Sequence, residues 1–167
     1  MLELVEKIHG TGYTHGNVKG GNFIKRETGE LYLIDFEVSR RWMCFETGKH
    51  LSKKELKVNK YQGNRLYRSS FVDYSEPISR RAEIESVCYV LWRVWSGSLP
   101  WETWIEDREK VMEIKRGLEV EKIEEIPVFL REWLTVTRKL EFEEDPPYEL
   151  YRELLEDLEE KNGEKVL

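Results

Sequence analysis

Twelve consecutive positions, Ile84 to Trp95, are apolar almost throughout, interrupted only by Glu85, Ser86 and Arg93. A helix that is apolar on every face has no solvent side, so the rest of the chain must wrap around it. The run is too short to cross a bilayer, which takes about 20 apolar residues, and it carries two charges. Gly97 and Pro100 end it. A length of 167 residues supplies enough chain to cover one such helix and bury a single core. The expectation is one mainly helical domain over residues 1–160, followed by a short polar tail, 161–167.

The remaining pattern fits elements packed around that centre. Leu2, Leu4, Val5 and Ile8 form a short helical stripe stopped by Gly10 and Gly12. Residues 13–22 are polar and glycine-rich and read as a loop. Asn22–Lys25 and Leu31–Ile34 read as two strands joined by a turn at Thr28-Gly29. Residues 38–76 show no period and are read as a long functional or mobile loop. Helices are expected over Glu106–Leu118, with Val111, Met112 and Lys115 at helical spacing, and after Pro127. The stripe of the second is Phe129, Leu130, Trp133, Leu134, Thr137 and Leu140. Pro146-Pro147 opens the last helix, with Tyr148, Tyr151, Leu154, Leu155 and Leu158 on its core side. Trp92, Trp95, Trp101, Trp104 and Trp133 are read as core.

Charge narrows the function classes. A formal net charge of -6 argues against general nucleic-acid binding. The acidic stretch from Glu141 to Glu164 reads as a solvated helix face. Cys44 and Cys88 give neither a disulfide framework nor metal-ligand spacing, and Cys88 reads as a small core residue. The N-terminal residues lack a basic leader followed by an apolar stretch, so a reducing compartment is expected, cytoplasmic or nuclear, with no membrane contact.

Two polar clusters flank the predicted hairpin. His15-Gly16-Asn17-Val18-Lys19-Gly20-Gly21-Asn22 precedes it, and Ile34-Asp35-Phe36-Glu37 follows it. Their spacing resembles the catalytic loop and the Asp-Phe-Gly metal-binding segment of protein kinases. Further on, Ser79-Arg80-Arg81-Ala82-Glu83-Ile84-Glu85-Ser86, Gly97-Ser98-Leu99-Pro100-Trp101, Arg138-Lys139-Leu140, Phe142 and Pro146-Pro147-Tyr148 resemble the casein kinase 1 superfamily. The vaccinia-related kinases are equally close. The resemblance spans about Met1 to Leu158. It implies an α+β protein-kinase-like fold that is mainly α, a helical C-lobe whose small hairpin carries the two motif segments.

The resemblance also implies roles. Asn22 and Asp35 match the magnesium-holding positions, Lys19 matches the lysine that contacts the transferred phosphate, and Mg²⁺ and ATP are the cofactors. His15 matches a packing position. Against these stand departures. Asn17 occupies the proton-acceptor position with an amide in place of a carboxylate. Gly16 replaces an arginine that braces the activation segment, Glu37 replaces the motif glycine, Asn64 replaces a threonine, and Glu83 replaces a buried aspartate that its longer chain still allows it to imitate. The residues before His15 read as one helix, so no glycine-rich strand pair and no N-lobe are expected within this chain, and ATP affinity is expected to be slight. The implied function is a casein kinase 1-like pseudokinase lobe that binds or regulates protein partners. The alternative is a Ser/Thr protein kinase with residual phosphotransfer, its N-lobe missing from this chain or supplied elsewhere. The basic cluster Lys49, Lys53, Lys54, Lys57 and Lys60 is either a solvated loop or a surface for an acidic or phosphorylated protein. The sequence sets no oligomeric state.

Overall fold

A computed structural model of the chain describes residues 1–56, 58, 63–73 and 76–162, with side chains outside 157–162. Among the described residues six α-helices and four short strands follow in chain order: α1 (Leu2–Gly10), β1 (Tyr13–Thr14), β2 (Phe23–Lys25), β3 (Leu31–Leu33), β4 (Arg40–Arg41), α2 (Ser70–Asp73), α3 (Arg80–Ser96), α4 (Arg108–Gly117), α5 (Val128–Lys139) and α6 (Tyr148–Asn162). Among the described residues no helix is long and apolar enough to cross a membrane.

The apolar run forms the central helix as its composition requires. Ile84, Val87, Cys88 and Tyr89 on α3 are wholly buried. Against them pack Leu130, Trp133 and Leu134 of α5, Val5 of α1 and Tyr151 of α6. Every residue of the predicted α5 stripe, from Phe129 to Leu140, is buried. Gly97 closes α3 in the left-handed region, at φ 78°, with its N–H on Arg93 O at 2.8 Å. That conformation is open to glycine at no steric cost. Tyr151 and Leu154 are buried on α6, while Leu158 lies outside the described side chains.

Two readings of tryptophan need correction. Trp92, Trp101 and Trp133 are buried, but Trp95 is 48% and Trp104 49% exposed. Trp95 lies in the last turn of α3, where its ring makes a T-shaped contact with Phe129 of α5 at 6.3 Å between centroids. Trp104 lies in a single 3₁₀ turn, Glu102–Trp104, with no buried residue.

The long aperiodic segment is also less featureless than its sequence. β4 pairs antiparallel with β1, Tyr13 opposite Arg41 and Thr14 opposite Arg40. Met43 and His50 form a further bridge, and α2 folds at Ser70–Asp73. Trp42 anchors this region: it is buried, its Nε1 donates to His9 O at 3.0 Å, and the Arg80 guanidinium lies 3.8 Å from its ring centroid. Lys57 and Lys60 of the basic cluster lie outside the described residues.

Candidate functional site

The hairpin is what assembles the site. β2 and β3 pair in the register Phe23–Leu33, Ile24–Tyr32, Lys25–Leu31, turning at Gly29 with φ 88°. The ladder continues one step further, with Ile34 N donating to Asn22 O at 3.0 Å. That step sets Asn22, at the end of a 3₁₀ turn (Gly20–Asn22), opposite Ile34 and so within reach of Asp35. Asp35 is the only non-glycine residue at positive φ, 70°, among the described residues. Such a backbone is uncommon outside glycine and tends to be held by its surroundings.

All four predicted site residues converge on this point. Asn22 Nδ2 lies 3.4 Å and Asn17 Nδ2 3.5 Å from Asp35 Oδ2, and Lys19 Nζ lies 3.9 Å from the same oxygen. Asn22 is buried and also donates to Asn17 O at 2.9 Å, which leaves its Oδ1 as the uncommitted atom. One carboxylate and one amide oxygen fit a magnesium ion of the kind that takes most of its remaining ligands from phosphate and water. Asp35 and Asn22 are therefore the residues that would hold such an ion, and Lys19 would face the phosphate it carries. No cluster of three or more His, Cys, Asp or Glu side chains capable of caging a metal occurs among the described residues.

Asn17 is committed elsewhere. Its Oδ1 accepts the Asn64 N–H at 3.0 Å, and Asn64 Oδ1 in turn accepts Leu66 N–H at 2.9 Å. Gly63, beside Asn64, sits at φ 83°, and a Cβ there would meet Gly16 O at 3.3 Å. The segment bearing Asn64 is thus pressed against the loop bearing Asn17, backbone to backbone.

Glu83 reaches the loop as its length allows. Its carboxylate accepts His15 N–H at 2.9 Å, Gly16 N–H at 2.5 Å and His9 Nε2 at 2.8 Å, while His9 Nδ1 lies 2.6 Å from Tyr148 OH. His15 is wholly buried: its ring meets Ile34 O at 2.8 Å and the edge of Phe36, its packing role. Ser39 Oγ donates to His15 O at 3.0 Å, a contact that nothing in the sequence signalled. Glu37 is exposed.

A second carboxylate on α3 does for the 63–73 segment what Glu83 does for the loop. Glu85 is fully buried and accepts from Ser69 Oγ, Ser70 N, Tyr89 OH at 2.8 Å and Arg138 Nε at 2.9 Å. Burial pushes its carboxyl up, but Arg138, Ser69 and Tyr89 outweigh burial and hold it below its ordinary value. Burial and the neighbouring Glu85 push the Tyr89 phenol well up. Lys115 of α4, wholly buried, bonds Arg65 O, Arg68 O and Asp73 Oδ2 at 3.0, 2.6 and 3.1 Å. Burial pulls its ammonium down, with Asp73 opposing. The available signal for Glu85 was its charge inside an apolar run, since charged residues are almost never fully buried unless paired. For Lys115 it was the helical spacing from Val111, the other buried residue of α4.

No family model matches the chain. Individual proteins do. The chain is 27% identical over 161 residues to a probable serine/threonine-protein kinase of Fowlpox virus, covering 92% of this chain and 52% of that protein. It is 30% identical over 166 residues to casein kinase I homolog 1 of Saccharomyces cerevisiae, covering 93% and 30%. To a casein kinase I homolog of Kluyveromyces lactis it is 28% identical over 177 residues, covering 99% and 33%. The chain spans about half or less of the length of these curated relatives.

Proposed function

This chain is casein kinase 1-like, with the fold of the helical C-terminal lobe of a protein kinase, and from that premise we propose that it works as a protein-binding module whose phosphotransfer chemistry is lost. The observation that carries the reading is the state of Asn17. Where a phosphotransferase places a carboxylate to take the hydroxyl proton, an amide accepts a backbone N–H through Oδ1 and turns Nδ2 toward Asp35. An amide takes no proton at neutral pH, and a positioned general base is worth about 10²–10⁴-fold. Glu37, next but one to Asp35, adds a negative charge where the family has glycine.

The binding surface this reading favours is the segment after Asp35. Arg40, Arg41, Lys49 and Lys54 have no carboxylate ion-pair partner among the described residues, although the whole chain is acidic. Arg40 and Arg41 line a hollow of about 270 Å³ with Leu51, Glu55, Leu56, Pro77 and Ile78, and the Glu55 carboxylate there accepts from Ser52 N and Oγ. A protein segment carrying acidic or phosphorylated residues suits that combination.

The cluster of Lys19, Asn22 and Asp35 favours a second reading, a Ser/Thr protein kinase with residual transfer. Two measurements separate the two. Titration calorimetry of the chain, and of any longer product of its gene, with Mg·ATP is expected to show no saturable binding at sub-millimolar concentration. Phosphate transfer to a casein-like acidic peptide is expected to stay at background. Transfer that is abolished by Asp35→Ala and raised by Asn17→Asp would overturn the binding-module reading in favour of the kinase.

A further inference from the structure

The α5 helix carries its core stripe on one side and, on another, a second stripe that is exposed at Val128 and Glu132 and packs against the core at Val136. Val128, Glu132 and Val136 follow one another at four-residue spacing on this second face. Together with Leu150 and Leu154 of α6 and Glu121 of the preceding turn they line a groove of about 420 Å³. Val128 is 56% and Leu150 37% exposed, so the apolar floor opens to solvent. A groove between two helices whose α5 side runs about two turns, from Val128 to Val136, can receive a third helix by its apolar side.

Charge selects what that helix carries. Glu121 and Glu132 stand on the walls, exposed, with no ion-pair partner among the described residues. The adjoining segment adds Glu124 and Glu125, both exposed. The one cation on the lining, Arg131, donates its Nη1 to Ile123 O at 3.2 Å. Lys122, the sequence neighbour of Glu121, is paired with Glu119. An apolar floor between unpaired carboxylates complements an amphipathic helix with lysine or arginine flanking its apolar stripe.

We infer that the α5–α6 groove is a docking site for a cationic amphipathic helix of a protein partner. This surface is separate from the Arg40–Arg41 hollow and calls for a partner of opposite charge. It rests on no part of the kinase chemistry, so it stands or falls independently of the function proposed above.

The probe is a labelled helical peptide of leucine and lysine only, apolar along one face, with a leucine–glutamate peptide of the same pattern beside it. Fluorescence anisotropy with the full chain is expected to show saturable, salt-sensitive binding of the first and none of the second. Glu132→Lys and Leu150→Arg are each expected to weaken binding about tenfold or more, since like charges and a charge on the apolar floor oppose docking. Val128→Arg serves as the second floor variant should Leu150→Arg melt early. Glu46→Lys, in the 44–48 turn outside the groove, is expected to leave binding unchanged. Equal binding of both peptides, or an equal drop with Glu46→Lys, overturns the inference by showing non-specific attraction. Self-association of the chain that Leu150→Arg abolishes overturns it too, by assigning the groove to a second copy.

Discussion

Substituting Glu83 by alanine is expected to lower the free energy of unfolding by about 3–5 kcal/mol, the range seen when one member of a buried charged network is removed. Glu83 is 3% exposed and is the acceptor for His15 N–H, Gly16 N–H and His9 Nε2. Removing it leaves two buried backbone donors and a buried imidazole nitrogen without a partner, and each orphaned group costs about 1–3 kcal/mol. Glu83→Gln keeps one acceptor oxygen but turns an NH₂ against a donor, so it should fall between. Urea unfolding followed by tryptophan fluorescence reads both variants. A loss below about 1 kcal/mol in the alanine variant would show that the loop is held by something other than this carboxylate.

Glu85→Ala is expected to cost a similar amount, about 3–5 kcal/mol, but to loosen a different part of the molecule. The donors that lose their acceptor are then Arg138 Nε, Tyr89 OH and the Ser69–Ser70 turn, so hydrogen exchange should rise over residues 63–73 and not over 13–22. Glu85 also makes a pH signature. Its folded-state carboxyl is held below its ordinary value of 4.5, so the stability it contributes is complete above that pH and is lost as pH falls further. The wild-type chain should therefore lose stability more steeply with acid than Glu85→Ala does. Parallel acid profiles for the two would mean that the carboxylate is no better held in the folded than in the unfolded chain.

How much of this was legible beforehand follows from the kind of signal each feature leaves. α3, α5 and α6 were written in apolar spacing bounded by glycine and proline. The hairpin that pairs Asn22 with Asp35 was written in two short apolar runs around Thr28-Gly29. Glu83 was readable because one extra methylene lengthens an aspartate's reach without changing its chemistry. The β1–β4 pair was not readable, because two-residue strands have no alternation to detect and these lie far apart in the chain. Trp95 misled because its spacing from Trp92 fits one helix face, while the depth of cover over that face depends on where neighbouring helices end. Lys115 was legible only in part: its spacing from Val111 and Met112 put it in the α4 stripe, but the groups that hold it there, the carbonyls of Arg65 and Arg68 and the Asp73 carboxylate, lie more than 40 residues away in the chain.

Glu83 and Glu85 stand two residues apart on one helix, so they leave it about 200° apart in direction and about 3 Å apart along its axis. The backbone of α3 thus fixes the phase between two otherwise separate segments, much as a camshaft fixes the timing of two valves. An insertion or deletion of one residue between these positions would turn one anchor by about 100° relative to the other. No repacking of side chains restores that. In the lineage of such a chain, length changes should accumulate freely in the exposed 45–48 turn, whereas the single residue between the two glutamates, Ile84, should keep its place even where its identity drifts.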